Sequence, residues 1–431
     1  MATEVQVIDS SSVAPSEPTP RKALWLSPLD LVMASRGHTP TVYLYRSHDA
    51  ASDFFDVARM KTSLAKALVA FYPLAGRVDT DDNGRAQINC NSEGALFVVA
   101  HIDRRADDFG HLKPSPELRR LFVPPIEPPS IMLAIQVTFF KGGGVALGMA
   151  LHHAAIDAMS AFHFIQTWSA FSRDGAAVVE LPCHDRALLR ARSPPFVHPD
   201  TLSVFCPTVT FSETSSGPTT SETFPISHDQ LATLKRLCGG GKISTFCAVS
   251  ALVWQCTCVS RRLPPDAEAR LSFPANVRRK TRPPLPDRYF GNAFIWLGAT
   301  GAARDVASET LASVAGRISG AVRKLDDELV RSAMDHLEIT AAETESQRPL
   351  KGSMPETELR INSWLGMPVY DADFGWGRPR AMSRAESVRG GFVYLMDVGP
   401  EDEGGTCALR VLMCMEAANM SEFERLLYAN I

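Results

Sequence analysis

The run Val145-Ala-Leu-Gly-Met-Ala-Leu151 ends abruptly in His152-His153. After Ala154-Ala-Ile-Asp157, the apolar residues Ala161, Phe164, Ile165, Trp168 and Phe171 recur at helical spacing. A short continuous apolar run has strand character and a 3.6-residue period is that of an amphipathic helix, so the stretch predicts a strand-to-helix junction within an α/β structure. His153 stands at that junction, where rigid elements hold a side chain that substrate can still reach. Imidazole titrates near neutrality and can take a proton from a nucleophile and return it within one cycle, which makes His153 a candidate general base. Spacing alone leaves a second reading open, since about 0.6 His-x-x-x-Asp matches are expected by chance in a chain of this composition. On that reading His153 is a core histidine satisfied by its neighbours.

The remainder of the chain predicts further strands and helices in irregular alternation. Residues 10–20, rich in Ser, Pro and Thr, read as an extended arm. Thr41–Tyr45 reads as a strand, and Val57, Met60, Leu64, Leu68 and Phe71 as one face of a helix ended by Tyr72-Pro73 and Gly76. Asp82-Asn-Gly84 signals a tight turn, with strands at 85–89 and 95–99. Strand-like runs at 131–140 and 145–151 are joined by Lys141-Gly-Gly-Gly144. Between 191 and 222 the composition shifts to Pro, Ser and Thr without periodicity, which predicts a crossover between two halves. Ser227-His-Asp-Gln230 is a capping-box pattern that restarts the periodic sequence. Helices are then expected over 244–259 and 306–325, strands at 392–396 and 409–414 around an acidic loop 397–405, and a terminal helix capped by Ser421 and Glu424.

With 431 residues the chain can build two domains with substantial cores. A net charge of −4 and a pI of 6.3 offer no general attraction to nucleic acid or an anionic membrane, so any small polyanion must find a local basic patch. No run approaches the length of a membrane span and the N-terminus lacks a basic-then-apolar signal, which leads us to expect a soluble, cytoplasmic protein. The nine cysteines form no metal-type pairs, so no metal site is expected, and Cys247, Cys256 and Cys258 read as reduced core thiols.

Near the other end stands Tyr370-Asp-Ala-Asp-Phe-Gly-Trp-Gly-Arg378, about 220 residues beyond His153. Taken together, His153-Ala-Ala-Ile-Asp157 and Asp373-Phe-Gly-Trp-Gly377 resemble the paired signature of the plant BAHD acyl-CoA-dependent acyltransferases. The resemblance runs through His38-Thr-Pro-Thr-Val-Tyr43, Phe71-Tyr-Pro-Leu-Ala-Gly-Arg77, Asn91-Ser-Glu-Gly94, Tyr289-Phe-Gly-Asn292 and Ser363-Trp364, which are similar to segments of the hydroxycinnamoyltransferases in that family. It implies two chloramphenicol-acetyltransferase-like α/β domains with mixed sheets joined by a long crossover loop. These would be residues 1–190 and 223–431 joined by 191–222, with a segment near 363–385 packing on the N-terminal domain. One residue departs from the family pattern: Ala158 follows the motif aspartate where glycine is usual, which puts the loop shape there in question.

The resemblance assigns His153 as general base, with acyl-CoA as a co-substrate rather than a permanently bound cofactor. It points to Asn362, where relatives carry threonine, and to the indole N–H of Trp364 as donors to the developing oxyanion. Wall packing is the competing role of Trp364. It implies that Asp157 turns away from the site to pair with Arg278, and that Asp373, Gly375 and Gly377 form a structural loop. Lys242, Ser244 and Thr245, at a glycine-to-helix junction, suit coenzyme A phosphates, and Arg278 heads a second basic cluster that is either a ligand contact or a solvated face. A serine hydrolase is disfavoured because no Gly-x-Ser-x-Gly elbow is present. A catalytically silent binding protein of the same fold is the alternative from another class.

For the acceptor, shikimate- and quinate-using relatives place arginine where this chain has Gly366, and His38 belongs to the acceptor pocket by family position. Without that cation a bound carboxylate is not compensated, so the expected acceptor is an amine such as tryptamine, tyramine, putrescine or agmatine, and the donor an aromatic acyl-CoA. An O-acyltransferase acting on an alcohol is the alternative. Glu416 and Asp30 are candidate partners for a cationic acceptor, with surface charge as their competing role. A monomer is expected.

Overall fold

The computed structural model describes residues 5–46, 53–110, 112–199, 201–206, 217–343, 354–386, 389–400, 405–429 and 431. Residues 200 and 207–216 of the expected crossover, 401–404 of the acidic loop and the first four residues lie outside them.

Two six-stranded mixed sheets organise the chain. The first runs in the order Val5–Val13, Ala95–Ile102, Leu133–Phe140, Val145–His152, His38–Tyr45 and Ala381–Arg384. Ala95–Ile102 and Leu133–Phe140 pair in parallel and the other neighbours are antiparallel. The second runs Phe294–Ala302, Glu268–Asn276, Glu358–Ser363, Phe392–Met396, Cys407–Glu416 and Thr219–Ser227. Lys22–Trp25, Ala86–Cys90 and Arg77–Thr80 form a small third sheet. After Ser363 the chain leaves the second sheet, adds Ala381–Arg384 to the edge of the first beside His38–Tyr45, and returns at Phe392.

Every residue of Val145–His152 is buried, which is why its sequence reads as continuous rather than alternating. Gly148 in this strand has a specific reason: a Cβ built there would overlap the backbone carbonyl of Phe122. Backbone cannot yield as a flexible side chain can, so Gly148→Ala is expected to destabilise the protein by about 1–3 kcal/mol. Thermal unfolding checks this, and an unchanged midpoint rules out the clash.

The helix Ala158–Arg173 packs on Val57–Ala70 and buries Phe164, Ile165 and Trp168 in the core of the first half. Helix Thr245–Ser260 is buried on nearly all faces in the second core, which explains its uniformly apolar sequence. No disulfide involves its Cys247, Cys256 or Cys258, and burial pushes the thiols of Cys256 and Cys258 up to about 12. No helix among the described residues is long and apolar enough to cross a membrane.

Several expectations are corrected. The extended arm read over 10–20 begins inside an edge strand, Val5–Val13, whose consecutive serines lack the apolar alternation that would have marked it. The Asp82-Asn-Gly84 turn joins Ala86–Cys90 to Arg77–Thr80, whereas Ala95–Ile102 belongs to the large sheet. The helix expected over 306–325 is two helices, Ala303–Ser308 and Leu311–Arg323, because the Thr310 side chain caps the second by accepting from Ser313 N–H. Helix Asp327–Glu343 was not anticipated, and the terminal helix begins at Ala417, leaving Ser421 within it.

Candidate active site

A cavity of about 470 Å³ opens between the two large sheets. His38, His153, Asp157, Arg278, Asn362 and Trp364 all line it, arriving from different strands and loops. His153 directly follows the buried strand. Its backbone N–H donates to the Gly37 carbonyl at 2.8 Å, and its carbonyl accepts from the Asn292 side-chain amide at 2.8 Å. The imidazole Nδ1 is buried without a hydrogen-bond partner. Burial, and then the charge of Arg36, push its pKa down to about 4, so the ring is neutral at neutral pH.

Asp157 takes no part in orienting that ring. Its Oδ2 accepts from Arg278 Nη1 at 2.7 Å and from Ala293 N–H at 3.1 Å, while Oδ1 accepts from Arg278 Nη2 at 2.9 Å and Ser160 N–H at 3.0 Å. The last contact makes Asp157 the N-cap of helix Ala158–Arg173. Ala158 is therefore the first residue of a right-handed helix and does not need the positive φ that glycine would supply, which removes the question raised by its identity.

One of two residues that sequence reasoning misjudged holds the same loop. Asp30, read as a candidate acceptor contact or a surface charge, is fully buried. It pairs with Arg186 Nη1 at 2.6 Å and accepts two hydrogen bonds at 2.9 Å from Asn292, the residue that also holds the His153 carbonyl. Arg186 in turn donates to the Ala155 carbonyl at 2.8 Å. Glu416, the other candidate, is buried in a bidentate pair with Arg261 at 2.9 Å. Neither lines the cavity.

Asn362 is the penultimate residue of the strand Glu358–Ser363, opposite Tyr394. The Trp364 indole meets Phe162 edge-on at 6.0 Å and Tyr394 at 5.3 Å. His38 Nε2 donates to the Ile131 carbonyl at 2.6 Å, and its ring meets His152 edge-on at 4.9 Å.

The other singled-out residues lie outside the cavity lining. Lys242 and Ser244 are exposed, and the Ser244 side chain caps helix Thr245–Ser260 through Cys247 N–H at 3.2 Å. Asp373 Oδ1 accepts from Gly375 N–H at 2.8 Å and Gly377 N–H at 3.0 Å, and both glycines have positive φ. The loop so formed drives Phe374 into the first core against Trp168, while Arg59 stacks on Trp376 at 4.3 Å. Gly366 has φ +71°, donates to Asp397 Oδ2 at 2.7 Å and is not among the lining residues, although Trp364 and Met367 on either side of it are.

Arginines elsewhere in the lining undo the argument from Gly366 that the site offers no cation to a carboxylate. Arg36, Arg119, Arg384 and Arg389 all line the cavity, together with Glu386, which pairs with Arg119 at 2.8 Å. These arginines carry no local sequence signal, because their meeting depends on Ala381–Arg384 crossing to the first sheet.

A model of the transferase family matches residues 3–429. Putrescine hydroxycinnamoyltransferase 1 of Oryza sativa subsp. japonica is 43% identical over 452 residues, covering 99% of both chains. The chain belongs to the BAHD acyltransferase family. Among other BAHD relatives, the shikimate O-hydroxycinnamoyltransferase of Nicotiana tabacum is 36% identical over 445 residues and 99% of both chains. Vinorine synthase superposes with a TM-score of 0.77 over 99% of this chain and 98% of its own at 23% identity, so the two-domain BAHD fold is shared.

Proposed function

We propose that this BAHD acyltransferase moves a hydroxycinnamoyl or related aromatic acyl group from its coenzyme A thioester to an amine. One observation carries the chemistry: a neutral imidazole, His153, stands in the intersheet cavity with Nδ1 unengaged. The amine nitrogen attacks the thioester carbonyl carbon and His153 takes its proton. Asn362 and Trp364 donate to the carbonyl oxygen as it gains charge. The tetrahedral intermediate then collapses, the carbon–sulfur bond breaks, and His153 returns the proton to the coenzyme A sulfur. Lys242, Ser244 and Thr245 receive the phosphates at the start of helix Thr245–Ser260. Similarity over the full chain to a rice enzyme named for putrescine favours an amine over an alcohol acceptor.

The pH dependence separates the two acceptor classes. With its pKa pushed down to about 4, His153 is unprotonated throughout pH 6–9 and contributes no slope there. An alkylamine has a pKa near that of lysine, about 10.4, so its reactive fraction rises roughly tenfold per pH unit below that value. The expected result is kcat/KM climbing steeply with tyramine or putrescine from pH 6 to 9, against a flat profile for any alcohol acceptor. Incubation with p-coumaroyl-CoA and a panel of amines and alcohols, with products identified by mass, tests the reading. Acylation of shikimate faster than every amine overturns it.

A further inference from the structure

The described lining of the cavity brings Arg36, Arg119, Arg278, Arg384 and Arg389 together with few carboxylates. Only Asp157 and Glu386 bring carboxylates to its lining among the described residues, and both are already engaged, by Arg278 and Arg119. Arg36 Nε, Arg384 Nε and the Trp296 indole N–H are buried with no hydrogen-bond partner. Behind them lies Arg360, fully buried, with its guanidinium 3.8 Å from the Trp296 ring centre and both Nη atoms unpartnered. Burial lowers the pKa of Arg360 to about 9 and that of Arg36 to about 10, and the neighbouring charges add to it, Arg36 acting on Arg360 and Arg389 on Arg36. Buried donors and charges are ordinarily satisfied, so a set made only of donors points to an acceptor-rich ligand group.

We propose that the region bounded by Arg36, Arg384 and Trp296, with Arg360 behind it, binds an anionic group of the acceptor, so that the preferred substrate is an amine carrying a carboxylate. This rests on the amine reading above. Arg36, Arg384 and Trp296 line the same cavity as His153, and after burial the charges of Arg36 and Arg384 also lower the protonation of that base. The phosphates of coenzyme A lie at the far end of the pantetheine arm from the reacting thioester, so an anion next to His153 belongs to the acceptor. A bare diamine gains nothing from this wall, whereas a guanidinium pairs with a carboxylate through charge-assisted hydrogen bonds.

The test compares tyrosine with tyrosinamide, which keeps the skeleton and loses the charge. It uses p-coumaroyl-CoA at alkaline pH, where both amines are unprotonated. The wild-type protein is expected to favour tyrosine at least tenfold in kcat/KM. Arg36→Gln and Arg384→Gln are each expected to raise KM for tyrosine about ten- to hundredfold and to leave KM for p-coumaroyl-CoA unchanged. Equal or better use of tyrosinamide by the wild type overturns the proposal without recourse to any variant. So does a rise in KM for the thioester, which assigns the arginines to phosphate, or an equal fall in kcat on both acceptors, which assigns them to the transition state. If neither amine reacts but shikimate is acylated with an Arg36-dependent KM, the anion site stands and the amine reading falls.

Discussion

His153→Ala is expected to lower kcat by about 10² to 10⁴-fold, the usual contribution of a general base, while leaving the fold intact. Both halves of this expectation follow from the contacts of the residue. The bonds that fix the loop are made by backbone: His153 N–H to the Gly37 carbonyl and its own carbonyl to Asn292, and alanine keeps both. The ring itself makes no side-chain hydrogen bond through Nδ1, so its removal strands no buried partner. Asp157 cannot substitute as a base, because Arg278, Ser160 and Ala293 already engage both its oxygens. His152 is no closer to the role, since its Nδ1 accepts from Ala154 N–H, and burial, followed by the charges of His38 and His153, pushes its pKa down to about 3. Steady-state kinetics with circular dichroism on the same sample checks both halves. A variant near the wild-type rate removes His153 from the chemistry.

What was readable in the sequence depended on how local the cause was. The strand before His153 was readable because every one of its residues is buried, so burial and composition coincide. The Ser227–Gln230 cap was readable because both of its hydrogen bonds close within three residues. Asp30 was misjudged because its partners are distant: Asn292 lies 262 residues away, and nothing near Asp30 announces a buried ion pair. The same holds for the cavity wall. Arg384 reaches the site only because the chain crosses between sheets, and Arg36 meets it through the neighbouring strand His38–Tyr45. Inferring acceptor charge from Gly366 therefore treated one position as if it stood for a surface assembled from four segments.

Asp157→Ala is expected to destabilise the protein by roughly 3–5 kcal/mol, because it leaves Arg278 buried without its counter-charge. The carboxylate also caps helix Ala158–Arg173 and satisfies Ala293 N–H, so three elements lose an anchor at once. Ser160 Oγ and the carbonyls of Tyr289 and Gly291 still accept from Arg278 Nη2, but these neutral groups do not balance its charge. Burial pushes the Asp157 carboxyl up, yet Arg278, through charge and hydrogen bonds, and the amides of Ser160 and Ala293 outweigh it and hold the group below its ordinary value. A carboxyl depressed in the folded state contributes stability that is fully present above its unfolded pKa of about 3.9 and is lost as pH falls below it. Chemical denaturation at neutral pH should therefore show the full loss in Asp157→Ala, and the variant should lose less further stability than the wild type on acidification below about pH 4. Replacing both partners, in Asp157→Ala/Arg278→Met, removes the stranded charge and is expected to recover part of the loss. Unchanged stability with activity abolished would instead place Asp157 in the catalytic machinery, against the geometry of its four hydrogen bonds.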